Sequence, residues 1–216
     1  MSEPAVTLRA AVVDRTHPSF PATLRGDGPA IEQLWAIGNL DLLERPLLAL
    51  FCSMQCPGEV IVRSYDVARG LRDRGVPVIG GFHSPMEKDC LEILLRGNQP
   101  VVICPARGIE RMRVPRAWKP GIAEGRILVL SLFPGRQRRP TAALAEQRNR
   151  MVASLAARFL IAHTAPGSKT ERLCRELLSQ GKPCYAIDAQ ANRHLLDAGA
   201  GTLHQSKIAE LEDAIP

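Results

Sequence analysis

Aromatic residues are scarce in this chain, with five Phe, two Tyr and two Trp among 216 residues. So few rings cannot build an extended platform that stacks one base after another. No stretch approaches the roughly 18 consecutive apolar residues of a membrane-spanning helix, and the N-terminus lacks a charged-then-apolar signal pattern. The expected compartment is therefore the cytoplasm, with no membrane partner. Six cysteines are present, Cys52, Cys56, Cys90, Cys104, Cys174 and Cys184, but none forms the Cys-x-x-Cys pair of a zinc site. Most lie in or beside apolar segments and read as reduced core residues. Cys52 and Cys56 stand apart, because a loop could bring them together. No metal site and no cofactor are expected.

What is present is a repeated strand-to-helix turn. The apolar run Val76-Pro77-Val78-Ile79 leads into Gly80-Gly81-Phe82-His83-Ser84-Pro85-Met86-Glu87-Lys88, and Phe159-Leu160-Ile161 is followed by His163-Thr164-Ala165-Pro166-Gly167-Ser168-Lys169-Thr170-Glu171. In both, a serine precedes a glutamate by three positions, the spacing of a capping box, and Pro85 sits where a helix tolerates proline best. If the two strands are parallel neighbours, both helix N-termini open on the carboxyl edge of one sheet, where free N–H groups and the helix dipole favour anions.

Apolar runs alternate with helical patterns from Leu47 onward. Strands are expected at 47–52, 76–80, 100–104, 126–132, 158–163, 183–187 and 201–203. Helices are expected at 58–74, 85–96, in a short piece before Gly125, at 141–157, 169–180 and 191–198, and at the C-terminus. This alternation predicts an α/β fold, a Rossmann-like three-layer parallel sheet with helices on both faces. Residues 1–45, rich in proline and glycine, read as an irregular N-terminal extension, and 46–216 as the Rossmann-like domain.

Positive charge is concentrated in one stretch. The formal charge of the chain is +6, yet residues 105–150 hold eleven Lys and Arg against three Glu. Arg107, Arg111, Arg113, Arg116 and Lys119 surround Trp118, a candidate for stacking on a base. Arg136, Arg138 and Arg139 follow, then Arg148 and Arg150. Such a patch binds polyanions by counterion release, and Arg136, Arg138, Arg139 and Arg150 are the candidate nucleic-acid contacts.

The order of these elements resembles the Rossmann-type domain of the bacterial DNA-processing protein DprA (Smf) family, within a superfamily that includes the "lonely guy" (LOG) phosphoribohydrolases. The resemblance runs from about His17 to Ala200. Its strongest piece, Gln147-Arg148-Asn149-Arg150-Met151-Val152-Ala153-Ser154-Leu155-Ala156, is similar to that family's Arg-Asn-Arg followed by an apolar helix. Gly167-Ser168-Lys169-Thr170 stands at its Ser-Gly-Ser-rich turn, and Gly181-Lys182-Pro183 through Asn192 and Gly199-Ala200 follow its closing pattern. There are departures. Cys52-Ser53-Met54 replaces a Gly-Ser-Arg turn, Pro85 and Glu87 stand within a Gly-x-Ala-x-Gly-Ile-Asp turn, Leu91 replaces a histidine, and no winged-helix segment is recognisable after the domain.

The candidate ligand residues are Gly81, His83, Ser84, Arg148, Gly167, Ser168, Lys169 and Thr170. Arg148 falls on the buried stripe of its helix with Leu144, Met151, Val152 and Leu155. A buried guanidinium must meet either an internal acid or a ligand phosphate. Lys169 lies in a first helical turn, but Ala162 or His163 stands where a P-loop needs its earlier glycine, so ATP hydrolysis by that route is not expected. His83 reads as a hydrogen-bonding residue, a phosphate contact or a general base. It and His163 would face each other across the cleft. The resemblance implies a binding module for nucleotide phosphates or single-stranded DNA, and admits a homodimer. The alternative it implies is a LOG-type nucleoside-monophosphate hydrolase, with Arg148 and Glu171 as the acting pair.

Overall fold

A computed structural model describes residues 8–25 and 31–209. Among these described residues nine strands form one sheet: β1 (Ala11–Asp14), β2 (Gln33–Gly38), β3 (Leu48–Cys52), β4 (Val78–Gly80), β5 (Val101–Ile103), β6 (Ile127–Ser131), β7 (Arg158–His163), β8 (Cys184–Ile187) and β9 (Gly201–Leu203). Their spatial order is β1-β2-β6-β5-β4-β3-β7-β8-β9. The seven strands from β6 to β9 in that order are parallel, while β1 and β2 are antiparallel additions on the β6 side.

Parallel strands are covered on both faces and so read as continuous apolar runs. β3 (LALFC), β6 (ILVLS) and β7 (RFLIAH) are buried at every position. Successive side chains of a strand point to opposite faces. Leu48, Leu50 and Cys52 therefore join one apolar cluster, while Leu47, Ala49 and Phe51 join the other. The first cluster is closed by α1 (Gly58–Asp73), α2 (Pro85–Leu94) and the short α3 (Lys119–Ala123). The second is closed by α4 (Ala142–Leu155), α5 (Lys169–Ser179) and the short α6 (Arg193–Asp197). This is the expected three-layer arrangement.

The N-terminal segment departs from the expectation. Within residues 1–45, read as irregular, β1 and β2 extend the sheet, with Trp35 paired to Ser131 and Ile37 to Val129. Pro18 and Pro21 lie in the segment between these strands, Gly26, Gly28 and Pro29 lie outside the described residues, and Leu34, Ala36 and Ile37 are core residues. The C-terminal helix is represented by a 3-10 turn at Gln205–Lys207, and the remainder of that segment lies outside the described residues. No helix among the described residues is long and apolar enough to cross a membrane.

The chain enters the parallel sheet at β3, moves outward through β4, β5 and β6, then returns to place β7 on the other side of β3. Connections leave β3 and β7 in opposite directions. In open α/β sheets a crevice opens at this switch point, outside the carboxyl ends of the strands.

Candidate nucleic-acid cleft

A cleft of about 690 Å3 lies at that switch point. Its walls come from the β3–α1 loop (Ser53, Met54), the β4–α2 turn (His83, Ser84), one side of α4 and the first turns of α5. The strands themselves help to open it. Between Phe51 and Cys52 the β3/β7 register slips, so that Cys52 faces His163 rather than Ala162. Such irregularities re-aim strand ends beside functional sites.

Glu87 organises the β4–α2 wall. The Ser84 hydroxyl caps α2 by accepting from the Glu87 amide at 3.3 Å, completing the capping box. The Glu87 carboxylate accepts from the amides of His83 at 2.7 Å, Ser84 at 3.1 Å and, through its other oxygen, Cys52 at 2.8 Å. One buried acid thus ties the β4–α2 turn to the end of β3, although its spacing from Ser84 indicated only a cap. Phe82, in the same turn, is the sole non-glycine residue at positive φ (46°) among the described residues. That left-handed conformation is costly for a bulky side chain and persists where surrounding packing imposes it. The Phe82 ring is buried in the α1–α3 layer.

Arg148 lies on the buried face of α4, as its periodicity requires, and is 4% exposed. Its Nη1 donates to the Cys104 carbonyl at 3.0 Å, while its Nε is buried with no hydrogen-bond partner. Desolvation lowers its pKa, and the nearby Glu87 carboxylate opposes that shift. The guanidinium lies directly over Gly81, and any side chain at 81 would collide with it. Arg148 is thus a buried cation that lines the cleft, met by one protein carbonyl and by no ion pair among the described residues.

The α5 side is built differently from expectation. Ser168 caps the helix, with its hydroxyl accepting from the Glu171 amide at 3.1 Å. The Glu171 carboxylate turns back to accept from the Gly167 amide, and is also held by Arg175 at 2.9 Å. Gly167 and Glu171 do not line the cleft, whereas Ser168, Lys169 and Thr170 do. The Gly167 amide is therefore already committed to Glu171. The Lys169 ammonium is paired with Glu146 at 2.6 Å, and Arg150 with Glu176 at 3.1 Å.

His163 also points elsewhere. Its Nδ1 shares a 2.8 Å hydrogen bond with Asn192, which donates in turn to the Ala162 and Ile187 carbonyls. It is a buried strut on the β7–α6 side, so His83 is the one of the two that reaches the cleft. Asn149, Arg172, Glu146 and Glu176 were not singled out from the sequence. They lie on cleft-facing stripes of α4 and α5 at separations of three and four, such as 146-149 and 169-172-176. That polar periodicity, beside an edge already expected to bind anions, was the available signal.

Arg136, Arg138 and Arg139 are exposed on the β6–α4 loop, which leads through Pro140 into the cleft wall. This loop is fastened to the β5–α3 loop. Gly108 donates to the Gln137 carbonyl at 2.8 Å, Gly135 to Glu110 at 3.1 Å, and Ser131 to the Arg107 carbonyl at 2.8 Å. A Cβ at Gly108 would stand 2.3 Å from the Pro134 oxygen, so this close approach requires glycine. Arg107 and the 136–139 arginines are thus carried on one joined rim. Among the described residues none of Arg107, Arg136, Arg138 and Arg139 forms an ion pair.

Fold and site together define a Rossmann-like α/β domain with a cleft lined by charges of both signs at its topological switch point. Residues 11–215 match the family model of DNA recombination-mediator protein A. The chain belongs to that family.

Solved structures are similar over most of the chain. DNA processing protein A (DprA) from Streptococcus pneumoniae superposes with a TM-score of 0.75 at 22% identity, covering 93% of this chain and 74% of that one. DNA processing protein A from Helicobacter pylori, described for its single-stranded DNA binding mode, gives 0.76 at 17% identity over 96% and 98%. The molybdenum cofactor carrier protein from Chlamydomonas reinhardtii is more distant, at 0.53 and 14% identity over 78% and 97%. No curated protein compared with the chain matches it.

Proposed function

We propose that the cleft binds the sugar-phosphate backbone of single-stranded DNA and that the protein acts in DNA processing. The observation that carries this reading is Arg148, a buried cation that lines the switch-point cleft and is met by a single protein carbonyl. Family membership and the single-stranded DNA described for the Helicobacter pylori relative support it.

A polymer fits the charge distribution better than a mononucleotide. The cleft volume lies within the roughly 300–1,000 Å3 of small-ligand pockets, so nucleotides of a flexible strand can enter it. The exposed arginines of the joined rim stand outside the cleft, on the chain leading into it, and contribute only to a ligand that continues past the pocket. Phosphate contacts of this kind position a strand without reading its sequence. Lys169 and Arg150 join in as phosphates compete with Glu146 and Glu176.

The hydrolase reading loses its acid. Glu171 is occupied by Gly167 and Arg175 and does not face the cleft. The deciding experiment is fluorescence anisotropy of a labelled single strand across a salt series, with Arg148→Met and a duplex competitor. The expected result is salt-dependent binding that weakens in the variant and resists the duplex. Equal affinity of wild type and variant would refute the assignment of the site.

A further inference from the structure

The basic segment between β5 and α3 lies outside the cleft. Residues 107–119 hold four arginines and one lysine against a single acid, Glu110, and none of them lines the cleft. Two turns fold the segment, with the Met112 amide donating to the Ile109 carbonyl at 2.9 Å and the Trp118 amide to the Pro115 carbonyl at 3.1 Å. Its side chains divide into two sets. Ile109 and Val114 are buried in the α1–α3 apolar cluster, and Met112 and Trp118 pack against it. Arg107, Arg111, Arg113, Arg116 and Lys119 are exposed. The Trp118 ring, a candidate for stacking on a base, is thus an anchor of the segment.

The exposed set is without counter-ions. Several exposed arginines elsewhere pair with acids on their own helix, as Arg63 does with Glu59 at 2.8 Å, Arg69 with Asp66 at 2.7 Å and Arg193 with Asp197 at 3.2 Å. Among the described residues none of Arg107, Arg111, Arg113, Arg116 and Lys119 forms an ion pair. Glu110, the acid within the segment, turns instead to the β6–α4 loop, where it accepts from the Gly135 amide at 3.1 Å. Like charges gathered without partners repel one another, and a polyanion relieves that repulsion while releasing its own counterions. The Gly135 contact, with the bond from the Gly108 amide to the Gln137 carbonyl, fastens the segment to the loop that carries Arg136, Arg138 and Arg139 into the cleft wall. The unpaired cations therefore continue the rim away from the cleft.

We propose that residues 107–119 are a second nucleic-acid surface, an outer track on which a single strand leaving the cleft is held by its phosphates through Arg111, Arg113, Arg116 and Lys119. Track and cleft are joined by one rim, and a flexible strand adapts to an irregular surface of this kind, whereas a duplex is stiff. With Trp118 committed to packing, the track holds phosphates and carries no sequence preference. That the strand comes from the cleft rests on the function proposed above; the affinity of the track for a polyanion rests on its own charges.

The test measures salt titrations of the full chain with strands of about 4 and about 30 nucleotides, at the lower limit of and well beyond the roughly 4–16 that one binding domain occupies. Anisotropy reports the long strand and calorimetry the short one. Wild type is compared with a track variant, in which Arg111, Arg113 and Arg116 are changed together to Gln, and with Arg148→Met. In a control, Arg45, Arg96 and Lys182 are changed to Gln, which removes the same charge from exposed residues on the segments leading into β3, β5 and β8, at the opposite edge of the sheet. The track side chains are exposed, so their replacement leaves the fold intact.

For the long strand the track variant should lose about 2 in salt slope, at about 0.7 per contact. Affinity then falls by up to about a hundredfold at about 0.1 M salt, one decade below the roughly 1 M at which the two lines meet. The short strand should bind the track variant as it binds wild type, and the control should stay near wild type with both strands. An equal loss in track variant and control would reduce the effect to net charge and overturn the track. So would wild-type affinity of the track variant for the long strand, or an equal loss for the short one. If Arg148→Met weakens both strands while the track variant binds as wild type does, the track falls and the cleft stands. If the track variant loses the long strand while Arg148→Met binds as wild type does, the cleft falls and the track stands.

Discussion

A Cβ built on Gly81 would lie 1.0 Å from Nη1 of Arg148. The glycine is the floor over which the guanidinium passes on its way to the Cys104 carbonyl, so the two positions form one unit. Gly81→Ala should displace Arg148 and cost about 1–3 kcal/mol, the range of overpacked sites. Urea unfolding and strand anisotropy should both register the change. An alanine variant of unaltered stability and affinity would contradict the arrangement.

Arg148→Met separates binding from folding. Removing the cation leaves the Cys104 carbonyl unpaired, a loss of about 1 kcal/mol, but also removes a desolvated charge whose burial is costly. Stability should therefore change little. Single-strand affinity should fall by about 2–5 kcal/mol, the range for truncating one member of a buried charged contact. Thermal unfolding and anisotropy on one preparation distinguish this from an arginine that serves packing alone.

Glu146→Gln releases Lys169 from its 2.6 Å ion pair. The freed ammonium should bind a strand phosphate directly, tightening affinity and steepening the salt dependence by nearly one contact, about 0.7 in slope for single strands. A salt titration of wild type and variant provides the comparison.

Arg136, Arg138 and Arg139 changed together to Gln should lower the salt slope by up to about 2. Binding of a mononucleotide, followed by calorimetry, should remain unchanged because these side chains lie outside the cleft. An equal loss for both ligands would place them in the pocket instead.

Glu171 sets part of the acid limit of stability. Its pKa is held below the ordinary carboxylate range, first by the Gly167 amide and next by Arg175. A depressed carboxylate contributes stability that is present above the unfolded value, about 4.3, and lost as pH falls through the folded value. Melting temperature measured from about pH 7 to about pH 3 should fall less steeply in Glu171→Gln than in wild type over the acid end.

The alternation of apolar runs with helical patterns carried the parallel sheet, because each run reports local burial and each cap is local chemistry. Ser84 with Glu87 illustrates this: the capping box needs only a three-residue spacing and is formed. The second bond set of Glu87, to Cys52, was not legible, since it joins positions 35 residues apart. Arg148 was legible as buried, but its carbonyl partner at Cys104 belongs to another strand end. Likewise, Glu171 and Gly167 share a turn whose backbone direction decides that the carboxylate faces Arg175 rather than the cleft. The strands β1 and β2 were hidden by the proline- and glycine-rich composition of the sequence around them, because pairing with β6 supplies stability that local propensity does not express.

The position of β7 between β3 and β8 has a consequence for synthesis on the ribosome. Until residues 158–163 emerge, β3 has a neighbour on one side only, and its fully apolar sequence presents an unpaired hydrogen-bonding edge to other nascent chains. About a hundred residues separate these partners, a long-range closure that is slow to form. The cleft walls from α4 and α5 arrive with the same late segment, so protection of the edge and completion of the cleft that we propose to bind a strand come together.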